Sequence, residues 1–298
     1  MRTLDSLRAV RPSVPGELLL IDNGSSDGTW DAVGSFTHPT LTVRAIREEK
    51  PGLSYARNRA LAESTGDIIA FTDDDVRVPP DWIECLTRPL LEGRAEAVVG
   101  GIRLAPHLMR PWMTATHREW FCSTESLDPA APAHLVGANM AFVRSVLAKV
   151  SGYDVELGAG RLGAWEETLF SWQLKAAGFR LLGAFDHVVE HHFAKSRLSR
   201  GNLLRAARTQ GRCHAYVLHH WQHGSRHAPK RQLLRKLPSL ARLHLANNIM
   251  QPSREGVSES DLLLVASFYT DWQWLREHRR PRNYERGGLT RLMPPLSL

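Results

Sequence analysis

An α/β fold, with a mostly parallel sheet covered by helices on both faces, is predicted by three features of the chain. Short apolar runs alternate with stretches of helical periodicity. Polar turns rich in Asp, Asn and Gly close several of those runs. Three consecutive aspartates, Asp73, Asp74 and Asp75, stand at the end of the run Asp67-Ile68-Ile69-Ala70-Phe71-Thr72. Open sheets of this kind bind ligands at the carboxyl ends of strands, and both Asp22-Asn23 and the acidic triplet fall at such ends.

Taken in order, Thr3 to Val10 reads as a first helix and Glu17 to Ile21 as a buried strand. That strand runs into Asp22-Asn23-Gly24-Ser25-Ser26-Asp27-Gly28-Thr29, which supplies turn residues and caps for a short helix from Thr29 to Val33. Leu41 to Ile46 alternates as a second strand. Ser54 to Glu63 then places Ala56, Ala60 and Leu61 on one helical face, with Gly66 closing it. Strand Asp67 to Thr72 delivers the acidic triplet, and Ala97 to Arg103 is a further strand. Pro106 to Pro132 is irregular and bears Trp112, Trp120 and Phe121; its length suits either a binding lid or a cover for an exposed core face. Beyond Ser199, the spacing of Leu203, Leu204 and Ala207, then of Leu233, Leu234, Leu237, Leu240 and Leu243, predicts amphipathic helices. The last residues, Gly287 to Leu298, are expected to be poorly ordered.

Charge divides the chain. Lys195 to Leu298 holds 19 Lys and Arg against 6 Asp and Glu, whereas residues 1–194 hold 19 against 25. The expected organisation is a mildly acidic body followed by a basic tail, which favours anionic partners. Cys85, Cys122 and Cys213 are too few and too scattered for a disulfide framework or a Cys-based zinc site, which fits a reducing cytoplasm. No segment approaches the roughly 20 apolar residues that span a bilayer, so any membrane contact is expected to be peripheral, at an anionic surface. Arg231 to Ile249 is the candidate for that contact, with packing against the body or a second subunit as the competing account. Nucleic acid ranks last as a partner, because no aromatic-plus-basic recognition module accompanies the charge.

Crowded carboxylates raise one another's pKa unless a cation neutralises them. Hard oxygen donors beside open positions suit Mg²⁺ or Mn²⁺ carrying a diphosphate. The competing account is that the triplet, ahead of Pro79-Pro80-Asp81-Trp82, only complements a helix dipole.

Four segments then carry a resemblance. Glu17 to Thr29 is similar to a nucleotide-binding turn, and Lys50-Pro51-Gly52-Leu53-Ser54-Tyr55-Ala56-Arg57-Asn58 to a Gly-x-x-x-Ala-Arg-Asn stretch near ribose and diphosphate. Asp73 and Asp75 form an Asp-x-Asp metal motif. Val136-Gly137-Ala138-Asn139-Met140-Ala141-Phe142, through Gly152-Tyr153-Asp154 to Trp165-Glu166-Glu167-Thr168-Leu169, looks like an acceptor-side segment ending in an acidic pair. Together they resemble the family 2 inverting glycosyltransferases of the GT-A fold, which use nucleotide-diphosphate sugars. The match runs from about residue 3 to about residue 220 and is specific as a set, although each motif alone is weak, so the resemblance implies a GT-A domain over residues 1–220 with a basic helical extension over 221–298.

The resemblance implies metal-dependent transfer of a sugar from a nucleotide-diphosphate donor to a hydroxyl of a glycan or secondary metabolite. It implies donor contacts from Asp22, Asn23, Gly52, Arg57, Asn58, Asp73 and Asp74, a metal site of Asp73, Asp75 and His191, and a catalytic pair, Glu166 and Glu167, with Glu167 as the base. The competing account makes Glu166 and Glu167 helix-start acids and His191 a core or surface histidine. Arg197, Arg200, Arg205, Arg208 and Arg212 could clamp a diphosphate or form a solvated helix face.

Three departures from the family pattern stand out. Glu167 occupies a position that is Asp in most members, and its extra methylene moves the carboxylate by ~1.5 Å. Asn23 stands where many relatives have an acid that contacts the base, so the nucleobase preference stays open. The family's first strand, which borders the nucleotide pocket, is missing ahead of Thr3. An absent interior strand would leave backbone groups unpaired, so the expectation is either a start upstream of Met1 or an impaired form. A catalytically impaired relative that binds nucleotide or glycan is therefore the alternative function.

Overall fold

The structure, a computed structural model, describes residues 2–245 and 254–292. Helices α1 (Arg2–Ala9), α2 (Thr29–Gly34) and α3 (Leu53–Glu63) alternate with strands β1 (Glu17–Asp22), β2 (Thr42–Arg47) and β3 (Ile68–Thr72). Their ends fall within one residue of those read from the apolar runs and turns. After β3 come β4 (Val76–Arg77), α4 (Trp82–Leu91), β5 (Ala97–Leu104), α5 (Ala115–Trp120), β6 (Asn139–Val143), α6 (Glu166–Ala176) and β7 (Leu181–His191). Three longer helices follow: α7 (Arg200–His220), α8 (Pro229–Leu245) and α9 (Glu259–Glu277).

β1 and β2 pair in parallel over six residue pairs. A five-stranded sheet runs β3-β6-β5-β7-β4. Its longest ladder, eight pairs of β5 with β7, is also parallel. The antiparallel ladders are shorter: five pairs of β3 with β6, three of β5 with β6 and two of β4 with β7. Parallel pairing therefore predominates, as the alternation of strands and helices requires. Among the described residues β1 pairs only with β2, and the two sheets meet through packing: Leu18 and Leu20 share a core with Ile68, Ala70 and Phe71. Leu18, Leu19, Leu20 and Ile21 all stay half-buried, which is what an apolar strand with one open edge shows.

A second core lies beside the sheet. Leu203 and Ala207 of α7 pack with Leu262 and Val265 of α9, and Leu108, Met113 and Phe121 close over them. The long segment from Pro106 is thus a core cover. It folds locally as α5 because Thr114 and His117 form a reciprocal cap at its start. The basic extension is stitched to the body as well. Trp221 Nε1 donates to the Gly288 carbonyl at 2.9 Å, and Arg291 pairs with Asp154 at 2.5 Å and with Glu156. Gly287 to Leu292, expected to be poorly ordered, is held by these contacts, because Asp154 is a buried carboxylate that needs a cation. Residues 293–298, and 246–249 of the basic stretch, lie outside the described residues. No helix among the described residues is long and apolar enough to cross a membrane.

Candidate active site

Asp73, Asp74 and Asp75 leave the carboxyl end of β3, as the triplet's position predicts. Asp74 is exposed, and its carbonyl accepts the Thr3 hydroxyl. Asp73 and Asp75 face inward with different partners. Asp73 lies 3.7 Å from Nη2 of Arg57, with 33% of its side chain exposed. Its carboxyl is pushed above the usual range mainly by burial; Arg57 pulls it down, and the charges of Asp75 and Glu167 add to the rise. Asp75 is held below the usual range. Burial would raise it, but the His191 ring, whose Nε2 stands 3.2 Å from Oδ1, and the more distant Arg197 outweigh that effect. His191 is itself buried at the end of β7, and its Nδ1 donates to the Phe121 carbonyl at 2.7 Å.

Arg57 on α3 is the hub. Nη1 bonds Glu166 Oε1 at 2.7 Å and lies 3.7 Å from Glu167 Oε2, and the guanidinium also sits over the Tyr153 ring. One buried cation therefore faces three carboxylates. Glu166 is buried, and burial together with the charge of Glu167 pushes its carboxyl up to about 8 against the pull of Arg57. Glu166 Oε2 and Glu167 Oε2 are both buried without a hydrogen-bond partner, which marks them as groups with unused capacity. Glu167 is the more open of the pair, 19% exposed at the side chain against 3% for Glu166.

The remaining donor-side residues are occupied by the protein. Asp22 accepts from Ser25 N and pairs with Arg47 at 3.3 Å. Asn23 bonds the carbonyls of Glu48 and Lys50 and accepts the Gly52 N–H at 2.7 Å, so it shapes the loop ahead of α3. Asn58 bonds both the N–H and the carbonyl of Tyr153 at 2.8 Å. These three hold backbone in place around the cleft. Of the five arginines after Phe193, only Arg197 approaches the site, 4.0 Å from Asp75. Arg205 bonds Asn202, Arg208 lies over Tyr269 and Arg212 reaches Gln273.

Two residues not singled out for the site frame it through their backbone. Cys122 (φ 68°) follows the Phe121 that holds His191, and Trp165 (φ 75°) precedes Glu166. Left-handed backbone at a non-glycine residue costs of order 1–3 kcal/mol and clusters at functional sites. No residue type announces it, so sequence could not have found either position by this route. Among the described residues, the one place where three potential metal-ligand atoms lie within 4.8 Å of one another is Asp81, Cys85 and His187, on α4 and β7. The donors Asp73, Asp75 and His191 share a cleft without being drawn that close.

Known proteins extend this picture. Residues 1–151, just over half of the 298, match the family model for Glycosyl transferase family 2. The chain is 27% identical over 153 residues to the glucosyl-dolichyl phosphate glucuronosyltransferase of Haloferax volcanii, covering 48% of each protein. To the glucosyl-3-phosphoglycerate synthase of Mycolicibacterium paratuberculosis it is 29% identical over 182 residues, covering 52% of this chain and 53% of that one. It thus spans about half the length of these relatives. In fold it is similar to a mannosyltransferase of Pyrobaculum calidifontis solved in complex with GDP-Man and Mn²⁺, with a TM-score of 0.55 at 21% identity, over 91% of this chain and 78% of that one. The sheet with its acid-lined carboxyl edge is therefore the GT-A architecture, and the chain belongs to glycosyl transferase family 2.

Proposed function

We propose that the protein transfers a sugar, with inversion, from a nucleotide-diphosphate sugar to a hydroxyl of a glycan or secondary metabolite, using a bound Mg²⁺ or Mn²⁺. The observation that carries this reading is the charge balance of the cleft. Arg57 alone faces Asp73, Glu166 and Glu167, and Asp75 adds a further carboxylate beside His191. That crowding, together with burial, is what lifts Asp73 and Glu166 above the usual carboxylate range, and a bound cation is what would let them ionise.

Asp73, Asp75 and His191 are donor types that suit a divalent ion, with Asp75 and His191 already side by side and Asp73 needing to draw closer to join them. The Phe121 carbonyl can only accept, so His191 Nδ1 carries a proton and Nε2 is left to face Asp75. Nε2 either donates a proton to Asp75 Oδ1, 3.2 Å away, which is how the ring holds that carboxyl down, or would offer its lone pair to a metal ion in the proton's place. When bound, the ion would offset the charge that grows on the departing diphosphate. Glu167, the more open acid, would accept the hydroxyl proton, and Arg57 holds both glutamates in place. The setting this implies is cytoplasmic, with at most a peripheral contact at the inner face of a membrane.

Donor hydrolysis and transfer, assayed across UDP-, GDP- and dTDP-sugars with and without Mn²⁺, test the reading. Glu167→Gln is expected to lower turnover about 10²- to 10⁴-fold while donor still binds. Asp75→Ala is expected to lose metal-dependent donor binding. A second reading, a binding relative without turnover, is favoured by the engagement of Asp22, Asn23 and Asn58 with protein groups. It would be established by Mn²⁺-dependent nucleotide binding that Asp75→Ala abolishes, in a parent that turns nothing over.

A further inference from the structure

We infer that the outer face of α8 is a docking surface for an anionic lipid bilayer. The helix carries two apolar faces. One lies on the body: Leu243 is buried, Leu240 joins the second core, and Lys236 Nζ reaches Asp271 Oδ2 of α9 at 2.5 Å. The other is open. Leu234, Leu237 and Leu245 are 67%, 47% and 53% exposed, and Pro238 and Ala241 between them are exposed too. At 3.6 residues per turn these five positions fall in a stripe about 100° wide. Lys230, Arg231, Arg235 and Arg242 accompany the stripe, all exposed.

Single exposed leucines are ordinary, but a periodic row of them on one helix face marks an interaction surface. The body already holds α8 by its other side, so the row is not completing the core. Charge selects the occupant. Between Glu190 and Glu255 the sequence has 13 Lys and Arg and no Asp or Glu. An apolar strip edged by cations, with no acid on its own helix, matches acyl chains lying under anionic headgroups. A second copy of the same face would bring like charges together. Neither step depends on sugar transfer, so the surface can be tested whatever the cleft does.

The whole protein is to be co-sedimented with vesicles of phosphatidylcholine alone and of phosphatidylcholine with phosphatidylglycerol, at physiological salt. Pelleting with the anionic vesicles is expected, with far less on the neutral ones. Leu234→Glu with Leu237→Glu is expected to abolish it at an unchanged melting temperature, both side chains being exposed. Replacing Arg231, Arg235 and Arg242 together by Ala is expected to weaken it by about a hundredfold. Absence of pelleting, equal pelleting on both vesicles, or pelleting that survives both variants overturns the proposal. So does a concentration-dependent dimer that the Leu234→Glu, Leu237→Glu protein no longer forms, which would give the face to a second copy.

Discussion

Arg57 reaches the acid pair only because residue 137 has no side chain. A Cβ on Gly137 would stand 1.9 Å from Arg57 Nη2. Gly137→Ala must therefore shift the guanidinium away from Glu166 and Glu167, an overpacking strain of about 1–3 kcal/mol. A fall in unfolding free energy of about that size is expected in urea titration. Protonation gives a second expectation. Glu166 holds its proton up to about 8 in the fold against an ordinary 4.5, so the stability that proton supplies is complete below 4.5 and is lost as pH climbs toward 8. Metal-free protein should melt at progressively lower temperature between pH 5 and 8, and Glu166→Gln should flatten that slope in calorimetry. At this scale the sequence was legible where chemistry and motif coincide. Arg57 draws together Asp73, Glu166 and Glu167, and His191 stands against Asp75. It was less legible where a polar residue has a choice of partner: nothing in the letters Asp22, Asn23 or Asn58 says whether they reach a ligand or their own backbone.

Elements were predicted well where an apolar run ends in a turn, since period and punctuation agree. Pairing was harder to see. β6 overlaps the segment Val136 to Phe142, where small residues blur the two-residue period, and its antiparallel place between β3 and β5 depends on contacts distant in sequence. The partner of a helix is equally hidden. α7 packs along α9 so closely that a Cβ on Gly211 would lie 2.1 Å from the Ala266 carbonyl. Backbone cannot yield as a side chain can, so Gly211→Ala must push the helices apart. We expect a loss of roughly 2–3 kcal/mol, read as a drop of several degrees in melting temperature.

Across the whole molecule, the split of charge between an acidic body and a basic extension was visible in composition, whereas their mutual packing was not. Ending the chain after His220 would uncover the face of α7 that α9 covers and remove Tyr284 and Arg291 from Asp154. Such a protein is expected to aggregate or to melt without a cooperative transition, checked by light scattering and circular dichroism. The partners of Asp154 also set an order of events. Its carboxylate is satisfied by Tyr216, Tyr284 and Arg291, the last of these 137 residues further along the chain, yet it sits on the loop that leads to Glu166. The loop before the acid pair can therefore set only once the segment carrying Arg291 has been synthesised and has folded back onto it, so a lesion far downstream can loosen the acids without touching them.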